Sequence, residues 1–312
     1  MLAGIAALMS ASAATQTYPA KPVRLIVPFS AGSGSDIIAR TVAGGLAEVV
    51  GQQVVIDNRA GAAGNIGAEL AARAAPDGYT VLFGNVAHAA NVSIYPKLPY
   101  DFVRDFAPVT LLGSSPAILV VHPSLPVKSV AELVKLAKQR PGAINYASGG
   151  TGTPTYLATE LFKRQAAIDL VQVPYRAGGE ALTSILSGET SVYFAPLANT
   201  LPMVKQGKLR ALAVTSSKRV PLLPEYATVA ELGYPGYQSG FWHGFLLPVK
   251  TSRDTVLALH SATVAALKQP VINKRLIELA YVPQGESPEA FATHIKSEIE
   301  SLGRVLRGVV YP

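Results

Sequence analysis

Cysteine is absent from the 312 residues, and charged residues make up only 15% of them. Without a thiol, the chain has no thiol nucleophile, no disulfide and no thiolate metal ligand. The histidines show no metal-ligand spacing, and the sequence contains no G-x-S-x-G elbow, no G-x-x-x-x-G-K-[ST] loop and no H-E-x-x-H zinc motif. We therefore expect no catalytic residue, no metal and no cofactor.

The net charge of +7 is not concentrated in one region of the chain. The longest basic cluster, from Lys135 to Arg140, lies on a predicted amphipathic surface helix. A nucleic-acid-binding protein would concentrate its basic residues in a stripe with interleaved aromatic side chains. We therefore expect no nucleic-acid partner and only a general attraction for small anions.

Residues 1–17 have features of a signal peptide. An apolar run from Leu2 to Met9 leads into the small residues from Ser10 to Ala14, which offer an A-x-A-like cleavage site. No basic residue precedes the run, because the first charge is Lys21. We expect a signal peptide or disordered segment followed by a periplasmic protein, the alternative being an alanine-rich tail. No later segment is apolar for long enough to span a bilayer.

The chain is organised around a strand, a loop and a helix start in its first part. Val23 to Val27 is a run of mostly aliphatic residues closed by Pro28, which predicts a buried strand of a parallel sheet. The Gly/Ser loop that follows ends in Ser33-x-x-Asp36, a capping-box pattern that starts a helix. Loop N–H groups and the positive end of the helix dipole together form an anion cradle at the end of the strand.

A second copy of this device lies in the middle of the chain. Ile144 to Ser148 is a predicted strand, Gly149 to Thr153 a small-residue loop, and Pro154 suits the first position of a helix capped by Thr153. Strand and helix patterns alternate around both copies, which predicts parallel sheets. We expect two similar α/β domains that face each other across one ligand.

Two extended segments are predicted to cross between these domains. They are Phe106 to Val121 and Leu209 to Thr215. The chain therefore predicts one domain built from residues 18–120 and 236–312, and a second built from residues 121–235. The crossing strands would act as the hinge.

The predicted ligand-binding residues follow strand ends in these domains. They are Phe29, Ser30, Gly32, Ser33, Gly34, Ser35, Asn85, His88, Ser148, Gly150, Thr151, Thr153, Tyr175 and Ala195. Some of the hydroxyl groups are expected to cap helices instead of binding ligand. Asp36 is interpreted as a capping residue. Phe29 and Tyr175 are either core edges or apolar walls of the ligand site, and His88 is either a structural residue or a ligand contact.

Ordered motifs between Tyr18 and Arg307 resemble the tripartite tricarboxylate transporter substrate-binding proteins, also called Bug proteins. They include Asp36-x-x-Ala-Arg40, Asn58-Arg-x-Gly-x-x-Gly-Asn-Ile-Gly67, Pro76-Asp-Gly-Tyr-Thr80, Leu98-Pro-Tyr-Asp101 and Ser148-x-Gly-x-Gly-Thr153. The resemblance implies a type II periplasmic binding protein fold, with two parallel-sheet α/β domains joined by two crossing strands around a ligand cleft. It also implies an extracytoplasmic receptor for a small organic carboxylate, with membrane transporter subunits as partners. We expect a monomer.

Two positions depart from the pattern of that family. The first loop has Gly32-Ser33-Gly34 where many members have Gly-Gly, so the cradle gains a hydroxyl group. Ala195 stands where many members have an acidic residue that is able to hold a ligand ammonium group. This absence favours a dicarboxylate or an aromatic carboxylate over an amino acid, and the expected ligand class also includes tricarboxylates. The alternative functions are a carboxylate-handling enzyme and a sensory adaptor on the same fold.

Overall fold

The computed structural model describes residues 18–176, 178–221 and 223–306, without the side chain of Val305. The predicted signal peptide lies outside these ranges. Within them the strands are β1 (Val23–Val27), β2 (Val54–Asn58), β3 (Thr80–Asn85), β4 (Phe106–Val121), β5 (Asn145–Ser148), β6 (Val171–Pro174), β7 (Val192–Pro196), β8 (Arg210–Val214), β9 (Gly240–Pro248) and β10 (Val282–Pro283). The α-helices are α1 (Gly34–Val50), α2 (Asn65–Ala72), α3 (Val86–Ile94), α4 (Val130–Gln139), α5 (Pro154–Ala166), α6 (Gly178–Ser187), α7 (Leu197–Lys205), α8 (Arg253–Lys268), α9 (Pro270–Glu278) and α10 (Pro288–Val305).

The strands form two sheets of similar order that share β4. The first has the order β2-β1-β3-β9-β4, and β10 also pairs with β4. In the second sheet β6, β5 and β7 are neighbours, and β7 and β8 both pair with the end of β4. The triples β2-β1-β3 and β6-β5-β7 are parallel, whereas β4, β8 and β9 add antiparallel pairs. The predicted α/β fold is confirmed, with sheets that are mixed where strands cross the hinge.

The two predicted cradle strands, β1 and β5, occupy equivalent places in the two sheets. Each is the middle strand of a parallel triple, and each leads directly into a helix, α1 or α5. Because parallel strands end at the same edge of a sheet, both helix N-termini lie above the carboxyl edges of their sheets, where open α/β folds bind ligands. The repeated strand-loop-helix pattern therefore marks two equivalent places in the fold.

The hinge differs from the prediction in one of its two crossings. β4 crosses as expected: its first part pairs with β9 in the first sheet, and Ala117–Val121 pairs with β7 in the second. β8, expected to be the other crossing strand, pairs only with the end of β4 and stays in the second sheet. The chain returns to the first sheet later, at Ser239, whose N–H group bonds the carbonyl of Thr215 before β9 begins. β8 ends at Val214, which bridges to Thr228, and the next residue, Thr215, is held against Ala117 of β4 by hydrogen bonds from both residues.

A continuous hydrophobic core runs under both sheets. One cluster of buried side chains joins Ile26 and Leu82 of the first sheet to Leu119 of β4 and to Tyr146 and Phe194 of the second. Burial of apolar surface is the main stabilising contribution to such a fold. The two sheets are therefore connected by packing as well as by shared strands.

None of the helices in the described ranges is both long enough and apolar enough to cross a membrane.

Candidate functional site

The first cradle is a tight loop that ends in the N-terminus of α1. Ser33 is the N-cap residue, and its Oγ accepts a hydrogen bond from the Asp36 N–H at 3.2 Å, as the capping pattern predicts. Gly32 has a φ of 77°, a left-handed conformation that suits glycine. Within the described part of the chain, the N–H groups of Gly34 and Ser35 donate no hydrogen bond. The loop therefore presents free donors at the positive end of a helix.

Asp36 holds this loop in shape. Its Oδ2 accepts from the Gly32 N–H and the Arg40 Nε, both at 2.9 Å, and its Oδ1 accepts from the Asn58 Nδ2 at 2.9 Å. Burial raises the pKa of the Asp36 carboxyl, but the hydrogen bonds from Arg40, Gly32 and Asn58 outweigh it and hold that pKa below its ordinary value. Asp36 is therefore a structural anion, and both of its oxygens are engaged inside the protein.

We expect the Asp36→Asn variant to be less stable than the wild type at neutral pH, by about 1.5–3 kcal/mol, the range for a hydrogen bond to a charged group. A carboxyl with a lowered folded-state pKa stabilises the protein above its unfolded-state pKa, near 3.9, and loses this contribution as the pH falls through the folded value. The difference in thermal midpoint between the two proteins should therefore be largest at pH 7 and should shrink below about pH 4. An equal difference at pH 7 and pH 3 would contradict the role of the Asp36 charge.

The second cradle is held by its own side chains. The Gly149 N–H donates to Thr155 Oγ1 at 3.0 Å, the Gly150 N–H donates to Ser148 Oγ at 3.2 Å, and Thr153 Oγ1 donates to the Gly150 carbonyl at 2.6 Å. Gly150 has a φ of 99°, which suits glycine.

Gln172 of β6 supports the same loop, because its Nε2 donates to Ser148 Oγ at 2.8 Å. Among the described hydrogen bonds, none engages the N–H groups of Thr151 and Gly152, so this loop also presents free donors. Thr153 caps α5 by position but makes no side-chain capping bond, because its hydroxyl is turned to the Gly150 carbonyl.

Each cradle lies close to an element of the opposite half of the structure. A methyl group on Gly34 would lie 2.8 Å from the Cβ of Pro196, at the end of β7. A methyl group on Gly152 would lie 2.7 Å from Asn91 Oδ1, on α3. Each contact joins a loop of one sheet to an element of the other. The two halves are therefore in close contact at both cradles, and the cleft between them is closed.

Asn85 and His88 form a capping box at the start of α3. Asn85 Oδ1 accepts from the Ala87 N–H at 2.9 Å, and the Asn85 N–H donates to His88 Nδ1 at 3.1 Å. Both side chains are fully buried. Burial lowers the pKa of His88 to about 4, so its ring is neutral at physiological pH. This capping box starts α3 directly after β3, so Asn85 and His88 lie at the carboxyl end of that strand.

Polar residues that were not predicted as site residues connect α3 to the first sheet. Asn91 Nδ2 donates to the Ala63 carbonyl at 3.1 Å and to Asn65 Oδ1 at 2.9 Å, and the Tyr100 hydroxyl donates to the same Asn65 Oδ1 at 2.6 Å. These bonds fix the amide of Asn91 with Oδ1 turned to Gly152 of the second cradle. Asn91 is therefore a contact between the two halves of the closed cleft.

His243 is a further residue that the sequence did not identify as part of the site. It lies on β9 beside Asn85 of β3, and its Nε2 is 2.9 Å from Ser35 Oγ of the first cradle. Its ring stacks on Phe83 with the centroids 4.6 Å apart. Burial, together with the nearby His88, lowers the pKa of His243 to about 3. A hydrogen bond between residues 208 positions apart has no local sequence signal.

The remaining predicted site residues support the loops or line their edges. The Ser30 carbonyl accepts from the Ser33 N–H, and the Phe29 carbonyl accepts from Asn58 Nδ2 at 2.9 Å. The Tyr175 N–H donates to the Ser148 carbonyl, while its side chain packs partly against the core of the second sheet. Ala195 is fully buried in β7. The ligand contacts assigned to the fourteen residues stay predictions.

A separate cavity of about 1410 Å³ lies along the hinge, between α5 and α10. Trp242 lines it, with its Nε1 donating to Glu298 Oε2 at 3.0 Å. None of the fourteen predicted site residues lines this cavity. In the described part of the chain, no cluster of three or more histidine, aspartate or glutamate side chains is arranged to hold a metal ion. The cradles therefore remain the candidate site.

The two sheets, their shared hinge and the facing cradles define a solute-binding protein of the periplasmic type. Residues 38–309 match the model of the tripartite tricarboxylate transporter family receptor, TctC, and the chain belongs to this family. Protein BugT of Bordetella pertussis is 34% identical over 307 residues, which cover 98% of this chain and 93% of BugT.

Solved structures of the same kind agree with this membership. Rpa4515 of R. palustris, solved with adipate, has a TM-score of 0.89 and 36% identity, covering 93% of this chain and 97% of its own. MatC of Rhodopseudomonas palustris, solved with malate, has a TM-score of 0.88 and 31% identity, covering 93% and 100%. The periplasmic binding protein BugD has a TM-score of 0.89 and 30% identity, covering 94% and 98%. The resemblance found in the sequence is confirmed.

Proposed function

We propose that this protein is an extracytoplasmic receptor that closes its two cradles on a small organic carboxylate and delivers it to membrane subunits of the tripartite tricarboxylate type. The observation that carries the proposal is a pair of helix N-termini with free N–H groups, one in each half of the protein and each in close contact with the opposite half. Such groups bind anions without a cationic side chain. Residues 18–120 with 236–312 would move as one body against residues 121–235.

A dicarboxylate is the ligand class that we favour. Adipate and malate, the molecules bound to two relatives, are both dicarboxylates. The carboxylate of Asp36 is engaged by Gly32, Arg40 and Asn58, and position 195 is an alanine, so neither is available to pair with a ligand ammonium group. These features support a ligand without an amino group, and tricarboxylates and aromatic carboxylates remain in the proposed class.

We propose binding without turnover. A general base must accept a proton near the working pH, whereas burial lowers the pKa of His88 to about 4 and that of His243 to about 3. The donors of the two cradles suffice to hold a carboxylate, and holding it needs no nucleophile. An enzyme on the same fold would consume its ligand, which proton NMR of the incubated mixture detects.

The direct experiment is a thermal-shift screen against succinate, malate, glutarate, adipate, citrate and benzoate, followed by calorimetric titration of the best ligand. We expect stabilisation that rises with ligand concentration, because a ligand that binds only the folded state shifts unfolding by mass action. Absence of stabilisation by every carboxylate in the screen would contradict the proposed function.

We expect the methyl esters of the bound acid to bind at least about tenfold more weakly than the free acid, because each donor left without a charged acceptor loses a bond worth roughly 1.5–3 kcal/mol. Titration of the acid and its esters under identical conditions measures the ratio. Equal affinities would show that the donors of the cradles do not hold a carboxylate.

The proposed location predicts export. The apolar run and the small residues before Thr15 motivate cleavage near Ala14. We expect the protein isolated from periplasmic extracts to begin near Ala14 or Thr15. If N-terminal sequencing finds Met1 intact on the protein isolated from periplasmic extracts, cleavage at this site is refuted.

A further inference from the structure

Ser35 is the one predicted hydroxyl group of the first cradle that is joined to β9 by a described hydrogen bond. Ser35 occupies the second position of α1, where its own N–H is free, and its Oγ lies 2.9 Å from His243 Nε2. His243 is the fourth residue of β9, and it pairs across the sheet with Asn85 of β3. The contact therefore links the ligand-facing end of α1 to the floor formed by the strand ends.

The surroundings of His243 allow its ring very little freedom. Its side chain is buried, with 2% of the residue exposed, and its ring stacks on Phe83 while the ring of Tyr281 lies 5.8 Å away. The lowered pKa keeps the ring neutral, so it carries a single N–H group. In the described structure the other ring nitrogen, Nδ1, is buried and has no hydrogen-bond partner.

The position of the single proton follows from this arrangement. With the proton on Nδ1, a buried N–H donor would face aromatic rings without an acceptor, which is the rarer kind of unpaired group in proteins. With the proton on Nε2, His243 donates to Ser35 Oγ, and only an acceptor nitrogen is left unpaired. In that arrangement the hydroxyl proton of Ser35 is free to point away from His243, towards the cleft.

We propose that His243 is a positioning residue that donates to Ser35 Oγ and thereby directs the Ser35 hydroxyl proton at the ligand carboxylate. The proposal rests on the carboxylate-binding function proposed above. A serine hydroxyl without such a partner rotates and donates part of the time to other acceptors. When His243 donates to a lone pair of Ser35 Oγ, the Ser35 hydroxyl proton points away from His243 even before a ligand binds. His243 thus prepares the first cradle for an anion without contributing a charge of its own.

The test is a double-mutant cycle on ligand affinity. Ser35→Ala removes the hydroxyl group, and His243→Phe removes the ring N–H while keeping a flat ring against Phe83. His243→Gln supplies an amide N–H at a similar reach and serves as the conservative replacement. His243→Met, a second replacement without an N–H, makes the result independent of how well one variant folds. Affinities for L-malate and adipate are measured by calorimetric titration.

We expect Ser35→Ala to weaken binding of the better probe about tenfold or more, the order of one hydrogen bond to a charged group. His243→Phe and His243→Met should weaken it about three- to tenfold when Ser35 is present, and should cause no further loss when Ser35 is replaced by alanine. His243→Gln should restore affinity to within about twofold of the wild type, since it returns the donor.

Three results would overturn the proposal. Equal losses from His243→Phe with and without the Ser35 hydroxyl would show that His243 acts on the fold and not through Ser35. Unchanged affinity in both N–H-free variants would show that the hydroxyl needs no direction. Failure of the wild type to bind any carboxylate of the earlier screen would contradict the receptor function itself, whereas wild-type binding with an additive cycle would contradict only the role of His243.

Discussion

Replacing Gly34 with alanine is expected to weaken carboxylate binding by at least about 100-fold, which corresponds to about 2.7 kcal/mol. The new methyl group would lie 2.8 Å from the Cβ of Pro196, closer than two carbon atoms approach without repulsion. The closed cleft must open to relieve this contact, and opening withdraws the donors of the second cradle from the ligand. Gly34 has helical backbone angles, so alanine causes no local strain in α1. The Gly34→Ala substitution therefore acts by opposing closure of the cleft.

The matched control is Gly44→Ala, in the same helix. Gly44 is exposed, and a methyl group there has open space around it. This variant should bind as the wild type does and should be more stable by up to about 1 kcal/mol, because alanine favours a helix over glycine. Titration reports affinity, and small-angle scattering with and without ligand reports closure. Wild-type affinity in the Gly34→Ala protein would mean that the bound state is more open than the structure.

Replacing Gly244 with alanine is expected to destabilise the fold by about 1–3 kcal/mol or more, the cost of overpacking a core. Gly244 lies in the middle of β9, and an added methyl group would overlap the ring of Phe291 on α10. Phe291 is fully buried and packs edge-on against Trp242, so its ring has no free space to enter. Urea unfolding of the purified variant measures the loss.

Measuring the Gly244→Ala change in a Phe291→Ala protein tests whether the loss of stability comes from the contact with Phe291. By itself this change should cost about 3–5 kcal/mol, because it removes a fully buried ring and leaves a cavity. In that background the added methyl group of Gly244→Ala meets empty space, so its cost should vanish or change sign. Additive losses in the double variant would show that Gly244 matters for the strand itself and not for the approach of α10.

The sequence predicted elements whose signals are local. Ser33 and Thr153 were correctly identified as N-cap residues, the predicted amphipathic helix around Lys135 is α4, and β5 lies within the predicted strand from Ile144 to Ser148. A capping residue is recognised from its own neighbours, and an amphipathic helix from the spacing of its apolar residues. These parts of the fold depend little on distant partners, so one sequence was enough to find them.

Three of the elements that were missed have weak or misleading local sequence signals. β9 lies in a stretch rich in glycine and aromatic residues, and it is a strand because β3 and β4 pair with it on both sides. α3 starts with histidine at the third position of its capping box, where the usual pattern has glutamate or glutamine. α7 follows Pro196 and contains Pro202, which reads as a break.

The candidate site was predicted at the level of loops and not at the level of contacts. The sequence placed two loops at strand ends, and the structure has a helix N-terminus at each of them, with each loop close to the opposite half of the protein. Asn58, Gln172 and His243, which hold the loops, lie on strands far along the chain from the residues they bond. Polar residues on strands have many possible partners in a sequence, and only the register of the sheet selects one.

The position of β9 also bears on the order in which the two sheets can form. The second sheet takes its strands from a continuous part of the chain, β4 to β8, whereas the first sheet stays divided until β9 arrives between β3 and β4. Pairings between residues far apart in sequence form slowly, because closing a long loop costs conformational entropy before any stabilising contact forms. We therefore expect the second sheet to form before the first, whose strands β3 and β4 are not joined until β9 is in place.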